Sequence, residues 1–100
     1  MPIGAAAMTI ALLSIEIHIP MAQSLKDKRM VLRRLKDRLG PFNVAVAEVG
    51  HQDLWQRAEL GVVTVASSDE VAEKTLRSVL EEVERLEPGL AIRSQVEYLR

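Results

Sequence analysis

Four stretches of the chain have the composition or alternation of β-strands. Between Met8 and Ile19 the odd positions from Ala11 onward are apolar, and Ser14, Glu16 and His18 fall between them, which is the period-2 pattern of a half-buried strand. Residues 42–49 and 60–67 are rich in β-branched residues, and residues 90–99 alternate again. A polar segment joins the second and third stretches, so we expect a hairpin with an extended loop or a mobile tip.

Two further stretches carry apolar residues at helical spacing. Ser24 followed by Asp27 resembles a capping box, and the helix it starts is predicted to end at Gly40-Pro41. The apolar stripe of this helix consists of Leu25, Leu32, Leu35 and Leu39. Ser67 or Ser68 is predicted to cap a second helix, which Pro88-Gly89 closes. The stripe of the second helix consists of Ala72, Leu76, Val79, Leu80, Val83 and Leu86.

The element order is therefore β-α-β-β-α-β. Right-handed crossovers turn this order into a ferredoxin-like α+β sandwich, a four-stranded antiparallel sheet with both helices on one face. The first and third strands are central in such a sheet, and the second and fourth are at the edges. We expect one domain over residues 8–100, preceded by a leader at residues 1–7.

The strand pattern also predicts what lies on the sheet face away from the helices, here called the open face. If the odd positions of the first strand pack on the helices, Glu16 and His18 project from the open face. Strand parity adds Glu48, Arg93, Gln95 and Glu97, while Val44 and Val46 would supply apolar area. We expect a second subunit to cover this face in a homodimer, and partial exposure is the alternative.

The charge of the chain is concentrated in the first helix. Residues 24–39 hold seven basic and two acidic side chains, although the whole chain has a net charge of -1. An ordinary solvated helix face would explain this pattern. Clustered cations can also neutralise nucleic-acid phosphates, and the candidates for this role are Lys26, Lys28, Arg29, Arg33 and Arg34, with Lys36 a weaker one. The second helix is acidic.

The segment between the second and third strands is the other candidate site. Residues 51–57 contain the only tryptophan of the chain, and Gln52, Trp55 and Arg57 form a set that can stack on a base and hydrogen-bond its edges. Trp55 is also large enough to be a lid on the core or a dimer contact, since tryptophan is seldom left fully exposed.

Catalytic and cofactor chemistry have little support in the sequence. Cysteine is absent, the two histidines have no metal-ligand spacing, and the turn after the first strand has no glycine-rich phosphate loop. We therefore expect no enzyme activity, no metal and no cofactor. An enzyme that uses Glu16 and His18 ranks third among the functional hypotheses. The apolar start of the chain reaches Glu16 too soon for a membrane span, and with no cysteine we expect a cytoplasmic protein.

Several strings of this chain resemble the bacterial YlxP-like family of small proteins of unknown function. They are His18-Ile19-Pro20, Ser24-Leu25-Lys26 with Lys28-Arg29, and Val46-Ala47-Glu48 leading into residues 51–57. The resemblance implies a ferredoxin-like fold and supplies no catalytic residue or cofactor. Members are often encoded among translation and ribosome-maturation genes, which favours an RNA or ribosome association. Gly50 departs from the acidic residue that we expect in relatives.

These observations leave two main functional hypotheses. The first is a non-enzymatic binding protein in which the basic first helix and the Trp55 segment engage structured RNA or a ribosomal particle. The second is a dimeric ligand- or protein-interaction module with a regulatory ferredoxin-like fold. The fold alone does not separate the two.

Overall fold

The computed structural model describes residues 8–99 and contains the six predicted elements in the predicted order. The leader predicted for residues 1–7 lies outside the described residues. The elements are β1 (Thr9–His18), α1 (Leu25–Leu39), β2 (Ala45–Gly50), β3 (Arg57–Ala66), α2 (Asp69–Leu86) and β4 (Ala91–Leu99).

The four strands form one antiparallel sheet in the order β2-β3-β1-β4. The prediction that β1 and β3 are central is confirmed: β1 pairs with β3 from Thr9↔Ala66 to His18↔Arg57 and with β4 on its other side. Because β1 and β2 are separated by β3, the two βαβ units interleave. The fold is therefore the predicted ferredoxin-like α+β sandwich.

The core lies between the sheet and the two helices. On β1 the odd positions are fully buried and the even positions are only half-buried, as the alternation predicts. The side chains of Leu35, Leu76 and Val79 fill the helix side of this core with almost no exposed surface. At about 25 cal/mol per Å², this apolar burial is the main stabilising contribution in a domain of this size.

The boundaries of β2 and β3 differ from the predicted ones. A turn over residues 39–42 follows α1, in which the Phe42 amide donates to the Leu39 carbonyl at 3.0 Å, and β2 begins only at Ala45. β3 begins at Arg57, three residues earlier than the sequence predicts, because residues 57–59 pair with the end of β1. The loop between the two strands is consequently short, covering residues 51–56.

The open face differs from the predicted one at β2. Glu48 pairs with Leu60, and Val46 pairs with Val62, so both side chains lie on the helix side of the sheet. The prediction that Glu48, Val44 and Val46 lie on the open face is wrong, since Val44 also packs against the core. Ala45, Ala47 and Val49 occupy the open face instead, while Arg93, Gln95 and Glu97 lie there as predicted.

Candidate functional site

Helix α1 begins at a variant of the capping box, in which Asp27 accepts from the amide of Gln23, the residue before the Ser24 cap. The Asp27 amide donates to Ser24 Oγ at 3.0 Å, and the Gln23 amide donates to Asp27 Oδ2 at 2.9 Å. Two amides at the helix start are thereby satisfied by side chains, as the sequence predicts for this box. The cap fixes where α1 starts, and so fixes which face each basic side chain occupies.

Six basic side chains of α1 are exposed, namely Lys26, Arg29, Arg33, Arg34, Lys36 and Arg38. Four of them lie three or four residues apart and form one stripe along the helix: Lys26, Arg29, Arg33 and Lys36. We call these four the cationic stripe. At 1.5 Å per residue it is about 15 Å long. Arg34 lies on the opposite flank of the exposed surface, on the same side as Arg38, which pairs with Glu82 at 3.3 Å.

The cationic stripe borders a small cleft between α1 and β2. Arg29, Arg33 and Lys36 line it together with Leu32 and Glu48, and its volume is about 210 Å³. Within residues 8–99, no acidic side chain forms an ion pair with any of the four stripe cations. Their positive charge is therefore uncompensated by neighbours at ion-pair distance.

Lys28 has a different environment from the other candidate residues. Only 1% of its side chain is exposed, and its ammonium lies 2.9 Å from Glu48 Oε2. The same Nζ donates to the carbonyls of His51 at 2.9 Å, Arg57 at 3.2 Å and Gln52 at 3.3 Å. The prediction that Lys28 contacts phosphate is wrong. It requires an exposed ammonium, whereas these four oxygens enclose it.

The sequence contains a signal for this burial. Lys28 falls between Leu25 and Leu32 in the apolar stripe of α1, at the position where the stripe is interrupted. A lysine at a core-facing position can bury its methylene stem and direct its ammonium to an acceptor. Here the acceptors are Glu48 on β2 and the backbone of the loop that follows it.

The loop at residues 51–56 is held by bonds to three separate parts of the molecule. The Lys28 ammonium binds its two ends, and His51 Nε2 lies 2.9 Å from Glu16 Oε1 on β1. Gln56 Nε2 donates to the carbonyls of Pro20 and Ala22 at 3.1 and 3.2 Å, and the Ile19 amide donates to the Gln56 carbonyl at 2.8 Å. The expected mobile tip is therefore a loop with defined anchors.

This anchored loop exposes apolar side chains at its tip. Trp55 is 53% exposed and the neighbouring Leu54 is 47% exposed. With His18, Asp53 and Arg57 they line a shallow concavity of about 570 Å³ at the end of the sheet. Trp55 is thus not a lid on the core, since half of its surface faces solvent.

The other two candidate residues of this region, Gln52 and Arg57, each form a side-chain hydrogen bond. Gln52 Nε2 donates to the Glu48 carbonyl at 3.3 Å, and Arg57 Nη1 donates to Glu16 Oε1 at 3.2 Å. The structure therefore brings Gln52, Trp55 and Arg57 into one loop region. The Lys28 ammonium joins that region to α1, and Lys28 lies in the same helical turn as the stripe cations Lys26 and Arg29.

Within residues 8–99, no group of three or more His, Asp or Glu side chains is placed to hold a metal ion. In that part of the chain, no helix is long and apolar enough to cross a membrane. Glu16 and His18 are both on the open face, but Glu16 bonds to His51 and Arg57, whereas His18 borders the Trp55 concavity.

The fold and these side chains define a small ferredoxin-like α+β protein with a cationic helix face. The chain belongs to the family described as "Protein of unknown function (DUF503)", whose model matches residues 10–95. It is 48% identical over 60 residues to "Uncharacterized protein YlxP" of Bacillus subtilis (strain 168). That match covers 59% of this chain and 65% of the relative, slightly less than two thirds of the relative's length.

A solved structure supports the fold. The chain is similar to "De novo designed protein Foldit4" with a TM-score of 0.58 and 14% identity, over 93% of this chain and 97% of the other. At this identity the likeness shows the fold alone. The predicted membership of a YlxP-like family and the predicted fold are both confirmed.

Proposed function

We propose that the protein is a non-enzymatic binding protein that engages structured RNA, in ribosome maturation or a related process, through α1. One observation carries the proposal: four exposed cations form a stripe about 15 Å long, with no ion-pair partner among residues 8–99. Such a stripe spans several phosphates of one strand, and neutralising them releases condensed counterions. Lys36 therefore replaces Lys28 in the proposed contact set, beside Lys26, Arg29 and Arg33.

The Trp55 loop is the proposed second contact. A half-exposed indole on an anchored loop can stack on an unpaired base, and Arg57 has guanidinium nitrogens beyond the one bonded to Glu16. Because the loop is already held by Lys28, Glu16 and Gln56, little conformational entropy is lost when it binds. Arg34 is the outlying candidate, since it lies off the stripe.

The salt dependence of binding tests the phosphate contacts. We expect the double variant Arg29→Gln/Arg33→Gln to reduce the slope of log affinity against log salt by roughly 1.5 to 2 for a structured ribosomal RNA fragment. Fluorescence anisotropy with a labelled fragment over a range of salt concentrations gives this slope. The cation removal should weaken binding similarly for unrelated sequences, because phosphate contacts carry no sequence information.

The matched control is Arg77→Gln/Arg85→Gln, which makes the same change of charge on α2. Both of these arginines are exposed and pair with glutamates of their own helix. We expect the control to leave the slope almost unchanged. Equal slopes for the two double variants, or wild-type affinity that does not fall with salt, would contradict the proposal.

A further inference from the structure

The open face of the sheet has an apolar end and a polar end, which differ in the side chains they present. Around one end the register brings together apolar and small side chains, here called the apolar end: Ile10, Leu12, Ala45, Ala47, Gly61, Val63, Val65 and Leu99. Around the other end it brings together the polar end: Glu16, His18, Arg57, Glu59 and Arg93. The division runs across all four strands, near Ser14.

The apolar end is exposed in the single chain. Val65 and Leu99 are each more than half exposed and flank Ile10 on its two sides, while the exposed Val49 lies at the boundary with the polar end. Gly61 leaves room for Val49, whose Cγ1 would lie 3.3 Å from a Cβ at that glycine. Contiguous apolar surface of this kind marks an interaction surface more often than isolated exposed residues do.

The two edges of the face differ in side-chain size. The β4 edge presents Gln95, Glu97 and Leu99, whereas the β2 edge presents Ala45 and Ala47. A partner that fits this face needs small side chains opposite β4 and large ones opposite β2. A second copy of the same face, rotated by 180° about an axis parallel to the strands, has that distribution.

We propose that a second copy of this chain covers the open face, related by a twofold axis that lies between the sheets and runs parallel to the strands. In this arrangement β4 of each copy crosses β2 of its partner, so the large edge of one copy packs on the small edge of the other. The apolar end of each copy meets the apolar end of the partner. The strands remain nearly aligned, as in sheet-on-sheet packing with sheets about 10 Å apart.

The polar end carries two carboxylates and two guanidinium groups. The axis brings Glu16 of one copy opposite Glu59 of its partner, and the Arg57 guanidinium, 3.2 Å from Glu16, offsets this contact. A twofold axis perpendicular to the strands would instead place Glu16, Glu59 and Arg57 against Leu12, Val63 and Val65, which is costly. Glu97 is the charged exception within the apolar end, and it lies on an edge strand at the rim of the interface.

The size of the face is sufficient for a stable dimer. Four strands about 4.8 Å apart and about nine residues long give a projected face of roughly 20 by 30 Å. Its corrugated accessible surface is larger than this projection and comes near the ~800 Å² per partner of a standard interface. Both helices lie on the opposite side of the sheet, so the dimer leaves the cationic stripe of α1 in solvent.

The mass of the protein in solution is the first test. We expect sedimentation equilibrium to give twice the chain mass of 11.1 kDa as concentration rises. Val65→Lys should raise the dimer dissociation constant at least tenfold, because it places an ammonium in the apolar end. Val65 is 51% exposed in the single chain, so the change leaves the fold intact.

The matched control is Val71→Lys on α2, where the valine is 48% exposed and lies off the open face. We expect this variant to dimerise like the wild-type protein. A mass of one chain at all concentrations, or an equal effect of the two lysine variants, would overturn the proposal. Circular dichroism spectra of both variants should match that of the wild-type protein.

Cross-linking tests the direction of the axis, since the natural chain has no cysteine. Gln95 and Ala47 are exposed, lie at mid-height of the open face and are three strands apart, or roughly 14 Å, within one sheet. We expect a short bifunctional maleimide to join Gln95→Cys chains to Ala47→Cys chains in a mixture. Neither variant should cross-link efficiently to itself; self-cross-linking would indicate the perpendicular axis and refute the proposed arrangement.

Discussion

Lys28 is the residue that links the core to the candidate site. Its ammonium has three N–H groups and is surrounded by the Glu48 carboxylate and three backbone carbonyls. A buried charge with good partners contributes little net stability over an apolar side chain, but removal of one partner leaves the other uncompensated. Here the carbonyls belong to both ends of the Trp55 loop, so this residue fixes the shape of the loop.

Lys28→Met tests this role, because methionine keeps much of the apolar stem and removes the charge. We expect the free energy of unfolding, measured in urea, to fall by about 2–3 kcal/mol, less than for a fully buried pair since Glu48 is partly exposed. Trp55, the only tryptophan of the chain, should become more accessible to quenching by acrylamide as the loop loosens.

Lys26→Met is the control for this prediction, since Lys26 is exposed on the same helix. We expect it to change the free energy of unfolding by less than about 0.5 kcal/mol and to leave the quenching of Trp55 unchanged. If Lys28→Met is as stable as Lys26→Met and its tryptophan is equally protected, Lys28 does not hold the loop.

At the scale of single elements, the spacing of apolar residues and the capping, proline and glycine residues at element ends predicted the strands and helices well. In the second half of β1, Ser14, Glu16 and His18 alternate with large apolar residues, so the buried face of the strand could be predicted directly. The run from Val44 to Val49 alternates valine with alanine before Glu48, and both residue types are apolar. Its buried face therefore depended on pairing with β3, which the pattern does not contain, and the orientations of Val46 and Glu48 were mispredicted.

The same limit applies to the candidate site. The positive charge of α1 could be counted from the sequence, and the interrupted stripe at Lys28 was a usable signal that simple charge counting missed. The anchors of the Trp55 loop could not be predicted, because Glu16, Pro20 and Ala22 approach it only through the sheet and the tertiary fold. Long-range hydrogen bonds leave no spacing pattern in the sequence.

The start of α2 gives a test at this scale. The sequence allows Ser67 or Ser68 as the cap, and the structure selects Ser68, whose Oγ accepts from the Val71 amide at 3.2 Å. We expect Ser68→Ala to lower the free energy of unfolding by about 1 kcal/mol. Ser67→Ala should have an effect near zero in the same denaturation experiment, and the reverse ranking would place the cap one residue earlier.

At the scale of the whole molecule, the cationic stripe of α1 and the open face lie on opposite sides of the sheet. A dimer formed through the open faces has two sheets about 10 Å apart with helices about 10 Å thick outside them. The two cationic stripes are then separated by more than about 30 Å and face away from each other. Such a dimer is a bivalent binder for an RNA long enough to reach both stripes.

This geometry predicts how RNA length and dimerisation interact. Val65→Lys should weaken binding of a long structured RNA by tenfold or more, because loss of the dimer removes the gain from simultaneous binding at two sites. It should leave the affinity for a short duplex that reaches only one stripe almost unchanged. The added lysine favours RNA binding by its charge, so a loss of affinity cannot be an electrostatic effect of the substitution. Anisotropy titrations of both RNAs with the Val65→Lys and Val71→Lys variants measure this, and a uniform change for the two RNAs would show that the stripes bind independently of the dimer.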